Sequence, residues 1–154
     1  MIIREMTEDE CRGVLERANF GRLACARDNQ PYVVPIYFSY SGGHVYGFST
    51  AGQKIDWMRA NPLVCLEVDE RTDRERWVSV VVSGRFQELL DTPEFAVERA
   101  EAQAALHQHA MWWEYTSIPA AEWRRKREPF ASIFYRIHID KMTGHRATPA
   151  ASAS

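Results

Sequence analysis

The apolar positions at the start of the chain recur with the period of a helix. Cys11 and Leu15 fall on one helical face, and Thr7 followed by Glu10 forms the pattern of a capping box just ahead of them. This pattern predicts a helix that begins after Thr7 and ends before Gly21, because glycine tolerates the left-handed conformation that often closes a helix.

Beyond Gly21 the apolar positions alternate with polar ones, which is the period of strands. Strands are predicted at residues 21–27, 31–40 and 44–49, and the turns between them are short, so we expect them to pair as an antiparallel meander. Pro35 has no backbone N–H to give to a neighbouring strand. The second strand must therefore lie at an edge, carry a bulge at Pro35, or have something other than a strand beside it.

The rest of the chain mixes further strands with helices. A short helix is predicted from about Lys54 to Asn61, and a capping pattern at residues 91–94 predicts a longer helix. Further strands are predicted at residues 63–69, 77–89 and 132–139, a short helix at 119–127, and a flexible tail at 147–154. The predicted fold class is mainly β with peripheral helices (α+β). It forms one domain over residues 1–146, whose antiparallel sheet of six to seven strands closes into a small barrel and so leaves no exposed edge.

The composition is that of an ordinary globular domain, and its main use is to exclude some classes of function. Lys and Arg number 19 against 21 Asp and Glu, so the net charge of −2 offers no field that would attract nucleic acid or an anionic membrane. No apolar run approaches the roughly 20 residues of a membrane span, and the N-terminus lacks the pattern of a secretory signal. The 3 scattered cysteines predict reduced thiols. We therefore expect a cytoplasmic protein without nucleic-acid or membrane partners.

The common catalytic motifs are missing from the sequence. It contains no phosphate-binding P-loop, no dinucleotide-binding glycine pattern, no nucleophile elbow and no zinc-protease helix. His107 and His109 are the nearest candidates for metal ligands, but positions two apart on a helix point to different faces, so no metal site is predicted. The basic run at residues 124–127 is interpreted as a solvated helix face. A nucleic-acid patch and a contact from a second subunit to an anionic substrate are the alternatives.

Residues 49–54 form the most informative short segment, because they combine hydroxyls, a glycine and a lysine where a strand turns into a helix. Ser49 and Thr50 offer neutral hydrogen bonds, Gly52 permits close approach, and Lys54 supplies a positive charge. The first backbone N–H groups of a helix have no partner within the helix and attract anions. The segment therefore fits a phosphate; an ordinary helix cap with a solvated lysine is the alternative.

Three longer stretches carry a family resemblance: GRLACARDNQPYVVPIYFSY, HVYGFSTAGQKIDWMRANPLVCLEV and WVSVVVSGRFQEL. Their most specific pieces are a P-x-V-x-P strand, an S-x-x-x-x-K turn followed by an N-P-x-V strand, and an S-V-x-x-x-G-R strand. Together they resemble the flavin-binding split β-barrels related to pyridoxamine 5′-phosphate oxidase, and most closely the smaller branch that includes nitroimidazole-resistance proteins. The resemblance covers about residues 7–90 and, more weakly, residues 130–146.

The resemblance implies a homodimer that binds FMN at the interface between its subunits. By the family's pattern, Ser49 and Lys54 would hold the FMN phosphate, with Thr50 nearby and Phe48 directly before this turn. The isoalloxazine ring would lie against a run of four residues, namely Tyr32, Val33, Val34 and Pro35. Ser79 would contact the ring or the ribityl chain, with Val80 beside it. A tryptophan of the second subunit would close the site, the candidates being Trp112, Trp113 and Trp123.

The activity that the resemblance implies is an FMN-dependent oxidoreductase that transfers hydride or electrons to a small planar or unsaturated molecule, with NAD(P)H as a candidate donor. The alternatives are a flavin-binding module without robust turnover, and a barrel of the same fold that uses deazaflavin or haem. Phe48 stands where many nitroimidazole-resistance relatives have a histidine, so a histidine-dependent mechanism is not expected. Arg136, His145 and Arg146 match the substrate-phosphate contacts of pyridoxamine phosphate oxidases only loosely. Vitamin B6 oxidation is therefore not expected, and no catalytic residue is assigned.

Overall fold

The computed structural model describes residues 1–108 and 133–151. Along these ranges the elements are β1 (Ile2–Glu5), α1 (Glu8–Arg17), β2 (Phe20–Arg27), β3 (Gln30–Tyr37), β4 (Ser39–Ser41), β5 (His44–Ser49), α2 (Gln53–Ala60), β6 (Leu63–Arg71), β7 (Trp77–Leu89), a 3-10 turn (Pro93–Phe95), α3 (Ala96–His107) and β8 (Ile133–Thr148). The predicted helix at 119–127, the three candidate tryptophans and the basic run at 124–127 lie outside the described residues.

One antiparallel sheet of 8 strands organises the described part of the chain, in the order β3-β2-β6-β7-β8-β5-β4, with β1 pairing with β8 as well. The prediction of a mainly β fold with peripheral helices and a split barrel is confirmed. The strand number was too low because β1 and β4 were not predicted. The expected closure is not made by hydrogen bonds, since β3 and β4 are the two open ends of the ladder.

The predicted antiparallel pairing of the first three strands with their chain neighbours is confirmed, but they do not form one continuous meander, because the second strand divides at Phe38. This residue is fully buried, and its backbone N–H donates to the carbonyl of Asn19 at 3.0 Å instead of joining a ladder. The break lets β3 pair with β2 at one end of the sheet and β4 pair with β5 at the other. Pro35 therefore lies on an edge strand, which is one of the three arrangements that its missing N–H allowed.

The sheet curves around one large hydrophobic core. Alternate residues of β2, β6, β7 and β8 point into it, and α1 adds Cys11, Val14 and Leu15 from its buried face. A second, smaller cluster forms on the outer surface where α3 covers β5 and β8, and it contains Tyr46 and Leu106. The helix thus covers only one half of the outer surface. The outer surface of β3, β2, β6 and the first half of β7 is left without a covering helix among the described residues.

Several local signals act as predicted. Glu10 N donates to Thr7 Oγ1 at 3.2 Å, and Thr7 N donates to Glu10 Oε1 at 3.1 Å, which completes the capping box of α1. The turn after β2 holds Asp28 and Asn29 at φ 50° and 63°, in the left-handed region that short hairpins use. No helix of the described ranges has both the length and the apolar character of a membrane span.

Two predicted boundaries are corrected by tertiary contacts. Gly21 does not close α1, which ends at Ala18 in extended conformation; Gly21 lies within β2, where an added Cβ would stand 2.8 Å from the carbonyl oxygen of Glu67. The tail predicted from residue 147 begins later, because β8 continues to Thr148 and Ala147 is buried between β1 and β7.

Candidate functional site

The N-terminus of α2 is open and carries no side-chain cap. Its N-cap residue is Gly52, in extended conformation, and a Cβ placed there would meet no atom within 4 Å. The first N–H groups of a helix lack partners within the helix and concentrate a partial positive charge. The start of α2 therefore presents backbone donors to an accessible space, which is the arrangement that an anion requires.

Lys54 lies in the first turn of this helix and is partly buried. Burial lowers the pKa of its ammonium group, and no carboxylate of residues 1–108 or 133–151 forms an ion pair with it. Its titratable neighbour in the fold is the buried thiol of Cys25, whose pKa is raised by burial and lowered to a smaller extent by the nearby ammonium. A partly desolvated cation without a counter-ion is costly, so an anion bound here would stabilise it.

The two hydroxyl residues ahead of α2 lie at the same junction. Ser49 is the last residue of β5, and its Oγ donates to the carbonyl oxygen of Thr50 at 2.8 Å. Thr50 itself is exposed. Hydroxyl groups rotate freely, so both can turn towards an anion that approaches the helix. Ser49, Thr50 and Lys54 thus belong to one strand–helix junction, and their role in holding a phosphate stays a prediction.

The residues predicted to face a flavin ring alternate between the two surfaces of β3. Tyr32 and Val34 turn inwards and pack against the core, whereas Pro35 and Val33, which is 61% exposed, turn outwards. The Tyr32 ring lies 5.5 Å from the ring of Trp57 on α2, so the edge strand and the helix touch. Side chains on opposite surfaces cannot all contact one planar ring; what these four residues share is a backbone edge.

No strand pairs with that backbone edge among the described residues. The alternation of backbone groups along β3 directs the N–H of Val33 to this edge. Pro31 and Pro35 have no N–H to give to β2, and the carbonyl opposite Pro31, that of Ala26, accepts instead from Asn61 Nδ2 at 3.0 Å. Alternate residues of a strand direct their polar groups to the same side. Val33 therefore offers its N–H and carbonyl along the free edge, within reach of a ligand that lies beside β3.

Ser79 and Val80 do not join this group within one chain. Val80 is fully buried in the main core, and Ser79 Oγ donates to Glu67 Oε1 at 3.3 Å on the outer surface. Burial raises the pKa of the Glu67 carboxyl group, which this hydroxyl partly offsets. Ser79 stands three strands from β3 and four residues further along, or roughly 20 Å from Val33 measured over the sheet.

Phe48, which directly precedes the strand–helix junction, packs beneath α3. Its ring contacts that of Phe134 edge to face at 5.2 Å, and both pack against the smaller core. Consecutive strand residues face opposite surfaces, so Phe48 and Ser49 point in different directions.

The loosely matched phosphate contacts near the C-terminus also fail to form one site. Arg136 Nε donates to Gln87 Oε1 at 2.8 Å, whereas Arg146 lies 3.8 Å from Glu10 at the other end of β8. His145 stands next to Arg146 and opposite Ser79. About 30 Å of extended strand separates Arg136 from the other two, so they cannot hold one phosphate within a single chain.

Two positioning residues were missed by the sequence analysis. Trp57, three residues after Lys54, links α2 to the edge strand, although its sequence pattern indicates only a helix core position. Asn61 ends α2 and bonds both Ala26 O and, through its Oδ1 at 3.2 Å, the N–H of Leu63. The N-P dipeptide that ends the helix was the available signal for Asn61, because asparagine often ties such ends to neighbouring backbone.

Comparison with known proteins places this geometry in a family. The sequence profile described as pyridoxamine 5′-phosphate oxidase matches residues 7–146. An uncharacterised protein of Rhizobium meliloti strain 1021 is 43% identical, covering 96% of this chain and 97% of its own length. The crystal structure of a FAD-binding protein from Mesorhizobium loti is 42% identical with a TM-score of 0.77, covering 96% of this chain and 100% of the other.

A more distant structure shares the fold alone. A protein of Bacteroides thetaiotaomicron described as a 5-nitroimidazole antibiotic resistance protein is 18% identical with a TM-score of 0.67, and the match covers 95% of this chain and 89% of the other. The profile match spans most of the chain, and the sheet order and open edge fit a split barrel. The chain therefore belongs to the pyridoxamine 5′-phosphate oxidase family.

Proposed function

We propose that this chain binds a flavin nucleotide between the start of α2 and the free edge of β3. The observation that carries the proposal is Lys54, a partly buried ammonium without a carboxylate partner among the described residues, in the first turn of an uncapped helix. A flavin phosphate would supply the missing counter-ion. Charge-assisted hydrogen bonds of this kind are about twice as strong as neutral ones.

The residues present fit both ends of such a ligand. Ser49, Thr50 and the first N–H groups of α2 can hold the phosphate together with Lys54. Lys54 neighbours Cys25, which is paired across the sheet with Tyr32, so the phosphate pocket borders the β3 edge. The N–H of Val33 can then donate to a polar edge of the ring. The Mesorhizobium loti relative, described as FAD-binding, supports the same ligand class.

We propose FMN as the flavin, as the family resemblance implies, and FAD is the second candidate. FMN has one terminal phosphate, which would pair with Lys54 and the first N–H groups of α2. FAD is favoured by the description of the relative that is 42% identical, and the open space around Gly52 would let an adenylate extend outwards. The mass of the ligand released on denaturing the purified protein distinguishes the two, and it also tests the deazaflavin and haem alternatives.

We further propose that two copies of the chain form a homodimer through the uncovered outer surface of β3, β2, β6 and β7. Apolar side chains remain exposed there, including Val33 at 61%, Phe20 at 41% and Val81 at 38%. Clusters of this kind commonly mark interfaces. The described residues supply one wall of the flavin pocket, and a second copy would supply the other. Sedimentation of wild type and Val81→Glu tests this, with a monomeric variant expected.

The proposed activity is an oxidoreductase that reduces a small planar or unsaturated molecule with electrons from NAD(P)H. A bound flavin supplies the hydride and electron chemistry, so the protein needs no acid–base group of its own for that step. The residues described here hold the phosphate, present a backbone donor to the ring and exclude water on the side of Tyr32 and Trp57. Such positioning is the protein's usual share in flavin catalysis.

The test is the purified protein itself. A yellow protein whose absorption bleaches with NADH or NADPH, and returns when an electron acceptor is added, supports the oxidoreductase. A yellow protein that no donor bleaches supports a flavin-binding module without turnover. A protein that is purified colourless and takes up neither FMN nor FAD contradicts the flavin proposal.

A further inference from the structure

Two histidines face each other across the β5–β8 ladder. His44, the first residue of β5, is directly opposite His138, and His44 Nε2 lies 3.2 Å from His138 Nδ1. Their ring centroids are 4.8 Å apart at an interplanar angle of 76°. Both side chains are partly buried and keep some access to solvent. The pair is therefore ordered but reachable from outside.

The tautomer of His138 is fixed by a glutamine behind it. Arg136 Nε, which can only donate, lies 2.8 Å from Gln87 Oε1, so that oxygen is an acceptor. His138 Nε2 lies 2.7 Å from the same oxygen and must carry the proton. The neutral ring therefore directs the lone pair of Nδ1 towards His44. A ligating histidine is commonly oriented in this way, by a hydrogen bond at its other nitrogen.

The separation of the two nitrogens matches a tetrahedral ion better than a square-planar one. Imidazole nitrogens lie about 2.0–2.1 Å from Zn²⁺, so a tetrahedral angle between them requires a separation of about 3.3 Å. A right angle, as in tetragonal Cu²⁺ or Ni²⁺ sites, requires about 2.9 Å. The observed separation of 3.2 Å lies close to the first value. The present contact is a hydrogen bond in which His44 Nε2 carries the proton. Zinc binding therefore requires the other tautomer of His44, with its proton on Nδ1. It also requires each lone pair to turn by about 35° from the line between the two nitrogens.

In the described part of the chain, the other coordination positions of an ion at this pair would be left to water. Among residues 1–108 and 133–151, no third His, Cys, Asp or Glu joins the pair to make a larger cluster. Asp140, two residues after His138, pairs with Arg85 and not with either histidine.

We propose that His44 and His138 form a binding site for Zn²⁺, with water in the remaining positions of a tetrahedral shell. The ion would cross-link β5 to β8 at the end of β5 that follows the Gly42-Gly43 turn. Ser49 lies five residues further along β5, or roughly 17 Å away. The site is therefore separate from the proposed flavin pocket, and either could exist without the other.

The test is a calorimetric titration of the chelator-treated, metal-free full chain with ZnCl₂. Wild type should bind one ion per chain, and His44→Ala and His138→Ala should each weaken binding at least tenfold. Gln87→Leu, which removes the orienting acceptor of His138 and with it the partner of Arg136 but leaves both histidines in place, should weaken binding by a smaller factor. His145→Ala and Cys65→Ser, at exposed positions elsewhere, are the matched controls and should leave binding unchanged.

Two spectra on the wild-type chain keep the proposal testable if a variant fails to fold. The imidazole resonances of His44 and His138 should shift on addition of Zn²⁺ while that of His145 does not. Co²⁺ in place of Zn²⁺ should give d–d bands without a thiolate charge-transfer band. Unchanged resonances at these two histidines, a thiolate band, or binding that survives both alanine variants would each overturn the site.

Discussion

Tyr32 on the edge strand and Trp57 on α2 place their rings 5.5 Å apart, with their planes tilted by 54°. This contact joins the two elements that border the proposed flavin pocket. Trp57 follows Lys54 by three residues, which puts the two side chains on one side of the helix. The distance of Lys54 from the β3 edge is therefore set in part by an aromatic contact that touches no ligand.

Replacing Trp57 should weaken flavin binding without removing any proposed ligand contact. Trp57→Leu keeps an apolar side chain at the position but loses the aromatic pair, which is worth about 0.5–1.5 kcal/mol. We expect the FMN dissociation constant of the apoprotein to rise by about 2- to 12-fold on that basis. Fluorescence quenching of FMN measures it, with Phe95→Leu, in the 3-10 turn before α3, as the control. Equal affinities for FMN in the two variants would show that Trp57 does not position the flavin site.

Lys54 should lower the stability of the apoprotein. Burial disfavours its charged form, and no carboxylate of the described ranges forms an ion pair with it. Lys54→Met keeps most of the side-chain volume and removes the charge. We therefore expect a higher Tm for the variant than for wild type when both are free of flavin. Differential scanning calorimetry of the two apoproteins measures the difference. A lower Tm for Lys54→Met would mean that the ammonium has a stabilising partner within the protein.

His138 should make the zinc-free protein less stable in mild acid. Its pKa is lowered from 6.5, first by burial and then by Arg136, His44 and Arg85, with Asp140 opposing them. The unfolded chain therefore binds the proton more readily, so this contribution is complete above pH 6.5 and is lost as the pH falls through the lower pKa of the folded state. Urea unfolding of wild type and His138→Gln between pH 7.5 and about 5 isolates it. Parallel pH profiles in the two proteins would contradict the assignment.

Substitution by alanine should lower the free energy of unfolding at Gly84 and raise it at Gly13. An added Cβ at Gly84 would overlap the carbonyl oxygen of His138 at the bulge between β7 and β8, whereas at Gly13 it would meet only Arg17 Nη1 at 3.5 Å. Gly84→Ala should lower the free energy of unfolding by about 1–3 kcal/mol or more. Gly13→Ala, within α1, should raise it by about 0.5–1 kcal/mol. Chemical denaturation measures both, and a neutral Gly84→Ala would show that the bulge yields without strain.

The parts of the fold that could be predicted are those coded within a few residues of one another. The Thr7–Glu10 capping box follows from hydrogen-bonding capacity and is found, and the edge position of Pro35 is one of the three arrangements that its missing N–H allowed. The division at Phe38 could not be predicted, because it depends on a carbonyl from Asn19 and on burial that only the folded sheet supplies. β1 also gave no signal, since all four of its residues are exposed and show no alternation.

The same distinction between local and long-range contacts applies to the candidate site. Ser49 and Lys54 belong to one strand–helix junction because only four residues separate them in the sequence. The distance of Ser79 from Val33 could not be predicted, because it depends on the register of four strands in a sheet whose order departs from chain order. The contact of Tyr32 with Trp57 likewise needs the packing of α2 on β2 and β3, which no local pattern encodes.

The affinity of the apoprotein for FMN, compared between Lys54→Met and Lys141→Met, tests the central claim most directly. Lys141 is an exposed lysine on β8, so its variant controls for the loss of one positive charge. A hydrogen bond to a charged group is worth about 1.5–3 kcal/mol, so the dissociation constant should rise at least tenfold in Lys54→Met and stay unchanged in Lys141→Met. Equal affinity in wild type and Lys54→Met would contradict a flavin phosphate at the start of α2.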